Sequence, residues 1–241
     1  MRARRYVVAQ NYSAAIAVFD KIIQDNPEGP RALQAARQGA RIAHLEAKNY
    51  PLAVSFYRQI ILQSPDPSER KSAQRFIAQI YFENLLEYDK AVQEYEKLLK
   101  LQNQPEEAFR YRLNLAKAHY QMNNWDQALN EIDTILSQKT DPDEVFEAKL
   151  LKASVLLNRR KLAEAAELFE VILNEFPDRS QKDNVALNLV VCYEDLKDFG
   201  KAIEVLERMK EGYPNPDFLN LRIARLKERR DNQPGAQGWK R

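Results

Sequence analysis

Apolar and polar residues follow the period of amphipathic helices along this chain. Apolar side chains at positions 15, 16, 19, 22 and 23 fall three or four residues apart, and positions 165, 168, 169, 172 and 173 repeat the spacing. Side chains so spaced share one face of an α-helix. The pattern predicts helices of about four turns, and no segment shows the strict alternation of a strand.

A short motif marks the start of each such helix. It consists of a polar residue, a large apolar residue, two variable residues and then Ala, usually followed by an aliphatic residue. The large apolar residue, called the start residue below, recurs as Tyr12, Tyr50, Tyr88, Trp125, Leu162 and Phe199. The intervals between start residues are 38, 38, 37, 37 and 37 residues. A fixed period of this length indicates a chain built from repeated supersecondary units.

Proline ends each of these helices. It lies fifteen residues after four start residues, as Pro27, Pro65, Pro177 and Pro214, and seventeen after the other two, as Pro105 and Pro142. Proline does not continue a helix interior, so each one marks the turn into another helix. The periodicity predicts these helices at residues 31–47, 68–85, 106–122, 143–158 and 181–196.

Paired helices with an aromatic residue and alanine at the start of the second helix, and proline after it, resemble the tetratricopeptide repeat family. The resemblance extends from about Met1 to Pro214. It implies an all-α, right-handed α-solenoid of about six antiparallel helix pairs. The period exceeds the 34 residues of the family. The small residue of the first helix is clear only at Ala116 and Ala153, and at Ala78 if the turn of that unit is one residue longer.

The predicted repeat domain covers residues 1–230, and residues 216–230 form a capping helix. Residues 231–241 contain Pro234, Gly235 and Gly238 and are expected to form a flexible tail. Counting back from Tyr12, only about ten residues of the first helix are present. We therefore expect either further repeats upstream or an end face that a partner or a second copy covers.

Composition excludes several kinds of chemistry. There are only 6 glycines, no phosphate-binding loop and no hydrolase or metalloprotease motif. Cys192 is the single cysteine, which rules out an internal disulfide. His44 and His119 each lie six residues before the next start residue, and we interpret both as partly buried structural side chains. We expect a protein that is not an enzyme and has no cofactor and no metal.

Charge and hydropathy limit the classes of partner and the kinds of membrane association that the sequence favours. Lys and Arg number 37 and Asp and Glu 35, a net charge of +2, which argues against general affinity for nucleic acid. No apolar run approaches the roughly 20 residues of a transmembrane segment. The sequence contains no signal-peptide pattern, and both a cytoplasmic and a periplasmic location are compatible with it.

The resemblance implies a scaffold that binds a peptide or a partner helix in a concave groove lined by the first helices. Longer units of this type resemble bacterial repeat proteins of cell-envelope and of motility or polarity assemblies. The alternative is a structural or oligomerising module that associates through its solenoid ends. The predicted groove residues are Arg75, Gln79, Phe82, Arg110, Lys117, Tyr120, Gln121, Ser154, Asn158, Asn184 and Glu194.

Overall fold

The computed structural model describes residues 2–101, 103–138, 141–210 and 213–233. All regular secondary structure in these ranges is helical, which confirms the predicted all-α class. The chain divides into an N-terminal unit, residues 1–124, and a C-terminal unit, residues 125–241. No helix in the described ranges combines the length and the apolar character needed to cross a membrane.

The N-terminal unit contains seven helices in its described residues, and each packs against the next along the chain. Its core includes the fully buried side chains of Phe56, Ile77 and Tyr95. The helices are α1 (Arg2–Val8), α2 (Tyr12–Asp25), α3 (Pro30–Arg41), α4 (Tyr50–Gln63), α5 (Pro67–Gln79), α6 (Tyr88–Leu99) and α7 (Pro105–Gln121).

The described part of the C-terminal unit also contains seven helices, around a core that includes Phe146, Phe169 and Leu206. The last helix occupies the segment in which a capping helix was predicted, and Asp231 belongs to it rather than to a tail. Residues 234–241 of the predicted tail lie outside the described residues. The helices are α8 (Trp125–Leu136), α9 (Pro142–Asn158), α10 (Leu162–Glu175), α11 (Pro177–Lys182), α12 (Val185–Asp195), α13 (Phe199–Met209) and α14 (Pro216–Asp231).

A single turn conformation precedes every start residue. The residue two positions before it has a positive φ of 50° to 63°. The next residue donates its backbone N–H to a carbonyl at the end of the preceding helix, as Asn124 does to His119 at 2.9 Å. This is the geometry of a left-handed helix C-cap. The positive-φ residues are Gln10, Lys48, Leu86, Asn123, Arg160 and Lys197, and none is glycine.

In three repeats the polar residue of the motif caps the following helix. The side chains of Asn11, Asn49 and Asp198 accept hydrogen bonds of 3.1, 3.2 and 3.1 Å from backbone amides three residues further on. These bonds satisfy donors that a helix N-terminus leaves unpaired. The positive-φ residue and the capping residue together reverse the chain direction between the two helices.

The two longer intervals between start residues contain π-helical turns. In four repeats a small buried residue lies at one constant distance after the start residue, as Ala40, Ala78, Ala116 and Ala153. From Ala40 and Ala78 the next start residue is 10 positions away, and these are the repeats in which Ile42–Glu46 and Ile80–Asn84 form π-helical turns. From Ala116 and Ala153 it is 9 positions away. The extra residue expected in the turn after Ala78 therefore lies within the helix. A π-helical turn accommodates such an insertion without breaking the helix.

The insertion changes the equivalence of the two histidines. Asn124 bonds to the carbonyl of His119, but Asn49 bonds at 2.8 Å to that of Ala43. Ala43 therefore takes the bonding position of His119, and His44 lies one residue after it. Counting back from the start residue misses this because it does not include the inserted residue.

The helix predicted at residues 181–196 is broken. α11 begins at Pro177, fifteen residues after the start residue Leu162. α9 begins at Pro142, seventeen residues after the start residue Trp125, so α11 begins two positions earlier in its repeat. Asn184 adopts a left-handed conformation (φ 53°, ψ 36°) between α11 and α12. Asparagine is among the few residues other than glycine that enter this region readily.

Candidate partner-binding surface

Ion pairs join successive first helices of the N-terminal unit. The Arg37 guanidinium on α3 donates hydrogen bonds of 2.6 and 2.7 Å to the Glu69 carboxylate on α5. Lys71 Nζ, also on α5, lies 2.5 Å from Glu107 Oε2 on α7. The bond from Arg37 lowers the pKa of Glu69, and that from Lys71 lowers the pKa of Glu107. These contacts connect α3, α5 and α7 through ionised side chains.

Seven of the predicted groove residues lie in this unit, on α5, its π-helical turn and α7. Most of them are three, four or seven residues apart within a helix, so each set lies on one side of its helix. All seven side chains are exposed or half-buried. They are Arg75, Gln79, Phe82, Arg110, Lys117, Tyr120 and Gln121.

Arg41 next to the π-helical turn of α3, Arg75 on α5 and Arg110 on α7 form no ion pair with any described residue. The same is true of four other arginines of the first helices, Arg4, Arg5, Arg31 and Arg70. The Arg75 guanidinium lies 5.4 Å from the centre of the Phe76 ring. Arg110 Nε donates a hydrogen bond to the Glu106 carbonyl at 3.4 Å. These cations are available to a partner, in contrast to Arg37 and Lys71.

Arg41, Arg75 and Arg110 lie at successively earlier positions in the first helices of three consecutive repeats. Counted from the start residue of each repeat, Arg75 lies four positions earlier than Arg41, and Arg110 lies three positions earlier than Arg75. Steps of four and three residues are about one helical turn, so the arginines keep to the same side of successive helices. We call Arg41, Arg75 and Arg110 the arginine row.

Aromatic side chains lie beside this row. The His44 ring makes edge-to-face contacts with Tyr50, Tyr57 and Phe76, with ring centres 6.3, 6.0 and 5.9 Å apart. His44 Nδ1 lies 3.2 Å from the Tyr57 hydroxyl. Burial lowers the pKa of His44 and raises the pKa of Tyr57 to about 12. His44 therefore packs as a neutral ring, which agrees with a structural role.

The predicted groove residues of the C-terminal unit make contacts within the fold. Ser154 Oγ donates to the Leu150 carbonyl at 2.9 Å, and Asn158 Nδ2 donates to the Ser154 carbonyl at 2.9 Å. Glu194 pairs with Arg222 of α14 at 2.8 Å.

Two of these residues, Asn184 and Glu194, lie at other features of the fold. Asn184 lies at the break between α11 and α12 and lines a cleft with residues of α10 and α13. Glu194 forms a second ion pair with α14, through Arg229 at 3.5 Å. Its carboxylate is therefore a link between α12 and the last helix, because both arginines lie on α14.

Sequence reasoning missed Arg41. The register of α3 was obscured by its π-helical turn, so no residue of that helix was included among the groove residues. The signal was present in the sequence, because Ala40 lies as far after Tyr12 as Ala116 lies after Tyr88. Counting forward from the start residue would have placed Arg41 correctly.

The described residues contain no group of three His, Cys, Asp or Glu side chains that could hold a metal ion.

Cys192 is buried, and burial raises the pKa of its thiol to about 11. The thiolate, which is the nucleophilic form, is therefore disfavoured near neutral pH.

Comparison with protein families identifies the repeats. One tetratricopeptide repeat model matches residues 1–69 and 113–180, and two more match residues 156–226 and 76–105. The first alone spans more than half of the chain. The chain belongs to the tetratricopeptide repeat family. No curated protein matches the sequence significantly.

Solved structures of tetratricopeptide repeat proteins share the fold. The C-terminal part of a repeat protein from Cytophaga hutchinsonii has a TM-score of 0.64 at 16% identity, over 94% of this chain and 87% of its own. A repeat protein from Parabacteroides merdae has a TM-score of 0.58 at 18% identity, over 95% and 86%. YrrB, a tetratricopeptide repeat protein with an unusual peptide-binding site, has a TM-score of 0.57 at 19% identity, over 86% and 97%.

Membership of the tetratricopeptide repeat family supports a role as a protein-interaction scaffold. The identities of 16 to 19% carry the comparison no further than the fold.

Proposed function

We propose that this tetratricopeptide repeat protein is a non-enzymatic scaffold whose N-terminal unit binds an acidic, extended segment of a partner protein. The proposed surface consists of the arginine row together with Phe82 in the π-helical turn after α5 and Tyr120 on α7. The observation that carries the proposal is that Arg41, Arg75 and Arg110 keep to one side of successive first helices and form no ion pairs with described residues, whereas Arg37 on α3 and Lys71 on α5 are paired.

The chemistry of this surface suits a peptide with carboxylates. Arginine presents five N–H donors in a planar fork that matches a carboxylate. Binding energy at protein interfaces concentrates in arginine and aromatic side chains. A partner with acidic residues spaced to meet the row would gain several charge-assisted hydrogen bonds at once. A place in a bacterial envelope or motility assembly remains part of the proposal.

Charge reversal tests the site. The probe is a fluorescein-labelled amidated peptide of alternating Glu and Leu, followed by fluorescence anisotropy. We expect Arg75→Glu with Arg110→Glu to weaken binding by at least about tenfold, because one charge-assisted hydrogen bond corresponds to roughly that factor. Both side chains lack ion-pair partners in the described residues, so the helical circular dichroism should not change.

The matched control reverses two other exposed cations of the same unit, Lys21→Glu with Lys100→Glu. It changes the net charge equally but lies on or after second helices. Equal weakening by both pairs of substitutions would reduce the effect to general electrostatics and contradict the site.

Analytical ultracentrifugation tests the alternative of a module that associates through its solenoid ends, since such association predicts a dimer whose population rises with concentration.

A further inference from the structure

The C-terminal unit contains a cleft of about 850 Å³ at the break between α11 and α12. Its floor is apolar and consists of Leu173, Ala186, Leu189, Val205 and Met209, from α10, α12 and α13. A volume of this size is in the range of sites that hold small ligands or inserted side chains. The cleft lies in the other unit from the arginine row, and its interpretation does not depend on the proposed function.

The break in the helix accounts for the cleft. Ser180 on α11 is buried, and its Oγ donates to the Ile172 carbonyl on α10 at 3.2 Å. This bond ties α11 to the end of α10. The left-handed conformation of Asn184 then changes the chain direction before α12. α11 therefore forms one wall of the cleft instead of continuing the axis of α12.

The walls carry polar side chains that the fold does not use. Two are cations, Lys182 and Arg208, and three are amides, Asn174, Gln181 and Asn184. None of the five side chains forms a hydrogen bond or an ion pair with any residue in the described ranges. The amides each offer two donors and one acceptor.

The acidic residue of the wall is already engaged. The Glu170 carboxylate accepts a hydrogen bond from the Tyr193 hydroxyl. Burial and this contact raise the pKa of Tyr193, so the hydroxyl keeps its proton. The carboxylate keeps its charge, but the two cations Lys182 and Arg208 outnumber it, so the charged side chains that line the cleft are positive on balance.

We propose that this cleft binds a short extended peptide that inserts one large apolar side chain flanked by acidic residues. The apolar floor takes the side chain, and Met209, a flexible thioether, adapts to its shape. Asn174, Gln181 and Asn184 have the mixed donors and acceptors that a peptide main chain requires. Lys182 and Arg208 complement the flanking carboxylates.

Methyl groups of methionine provide the test. The chain has 3 methionines, of which Met209 lines the cleft and Met122 directly follows α7 in the N-terminal unit. The protein is labelled with ¹³C at the methionine methyl groups and titrated with acetyl-Asp-Phe-Asp-amide, and Met209→Leu assigns the signal. We expect a saturable shift of the Met209 signal, while the Met122 signal stays in place.

Substitutions and control probes locate the contacts. Lys182→Glu with Arg208→Glu should weaken the titration by about tenfold or more, since both cations are expected to bond to carboxylates. Lys21→Glu with Lys100→Glu in the N-terminal unit is the matched control and should have no effect. Replacing Phe by Ala in the peptide should abolish the Met209 shift.

Four results would overturn the inference. The first is a Met209 signal that does not respond to the acidic peptide. The second is equal binding of acetyl-Lys-Phe-Lys-amide. The third is a response to octanoate but not to the peptide, which would identify a fatty-acid site. The fourth is a shift of Met122 alone, which would place the peptide on the N-terminal unit and leave the proposed function standing.

Discussion

Replacing Lys48 with glycine should stabilise the protein. Lys48 has a φ of 50°, and its exposed side chain makes no ion pair with any described residue. An L-residue in the left-handed region loses about 1–2 kcal/mol relative to the right-handed region. Glycine avoids this strain but loses about 0.5–1 kcal/mol more conformational free energy on folding than alanine. The difference predicts a gain of about 0.5–1 kcal/mol for Lys48→Gly.

Lys100→Gly is the matched control. Lys100 is also an exposed lysine at the end of a helix, but its φ is −76°, in the right-handed region. Glycine relieves no strain there, so only the entropic loss of about 0.5–1 kcal/mol remains. The two identical substitutions should therefore change stability with opposite signs.

Urea unfolding followed by circular dichroism at 222 nm measures both effects. We expect the midpoint to rise for Lys48→Gly and to fall for Lys100→Gly, with unchanged slopes, since neither substitution alters the buried surface. A fall of similar size for both variants would refute the reasoning. It would show that the left-handed turn residues of these repeats carry no measurable strain.

Three further predictions concern packing, capping and pH. Gly39→Ala should lower the free energy of unfolding by about 1 kcal/mol, because its Cβ would lie 2.8 Å from the buried Phe56 ring and the overpacking exceeds the gain in helix propensity. Phe56→Leu should make this loss smaller in a double-mutant cycle. Lys161→Asn should raise the free energy of unfolding by about 0.5–1 kcal/mol, because the residue before α10 has no side-chain cap, and Asn49→Ala should lower it by a similar amount. Burial lowers the pKa of His44, so its stabilising contribution is complete above about pH 6.5 and is lost as pH falls through the lowered folded pKa. His44→Phe should therefore reduce the fall in melting temperature between neutral and mildly acidic pH, and an unchanged fall would contradict the burial of its ring.

Local sequence determined the repeating helix pairs. The start residues, the alanines three positions after them and the prolines act within one or two turns of the chain, where contacts depend on spacing alone. The polar residue before each start residue is another local signal, since Asn11 and Asn49 cap the helices that they precede. For this reason the sequence indicated the fold class, the number of repeats and the last helix.

Register within the helices required the tertiary structure. The π-helical turns at Ile42–Glu46 and Ile80–Asn84 keep Ala40 and Ala78 buried while the next start residue shifts by one position. Counting forward from the start residue identifies these alanines, but the sequence does not show which turn of the helix holds the extra residue. The close contact that a Cβ atom at position 39 would make likewise depends on the Phe56 ring of the next helix.

The binding surfaces also depended on the tertiary structure. Arg37 and Arg41 are four residues apart on one helix, yet Arg37 meets Glu69, 32 residues away, and Arg41 meets no described carboxylate. Which cation is paired is decided by how neighbouring helices are aligned. The cleft beside Asn184 also depends on packing between helices, because α11 is bonded to the end of α10 and does not continue the axis of α12. Sequence periodicity determined which residues share a helix face, and packing between helices determined which of them remain available to a partner.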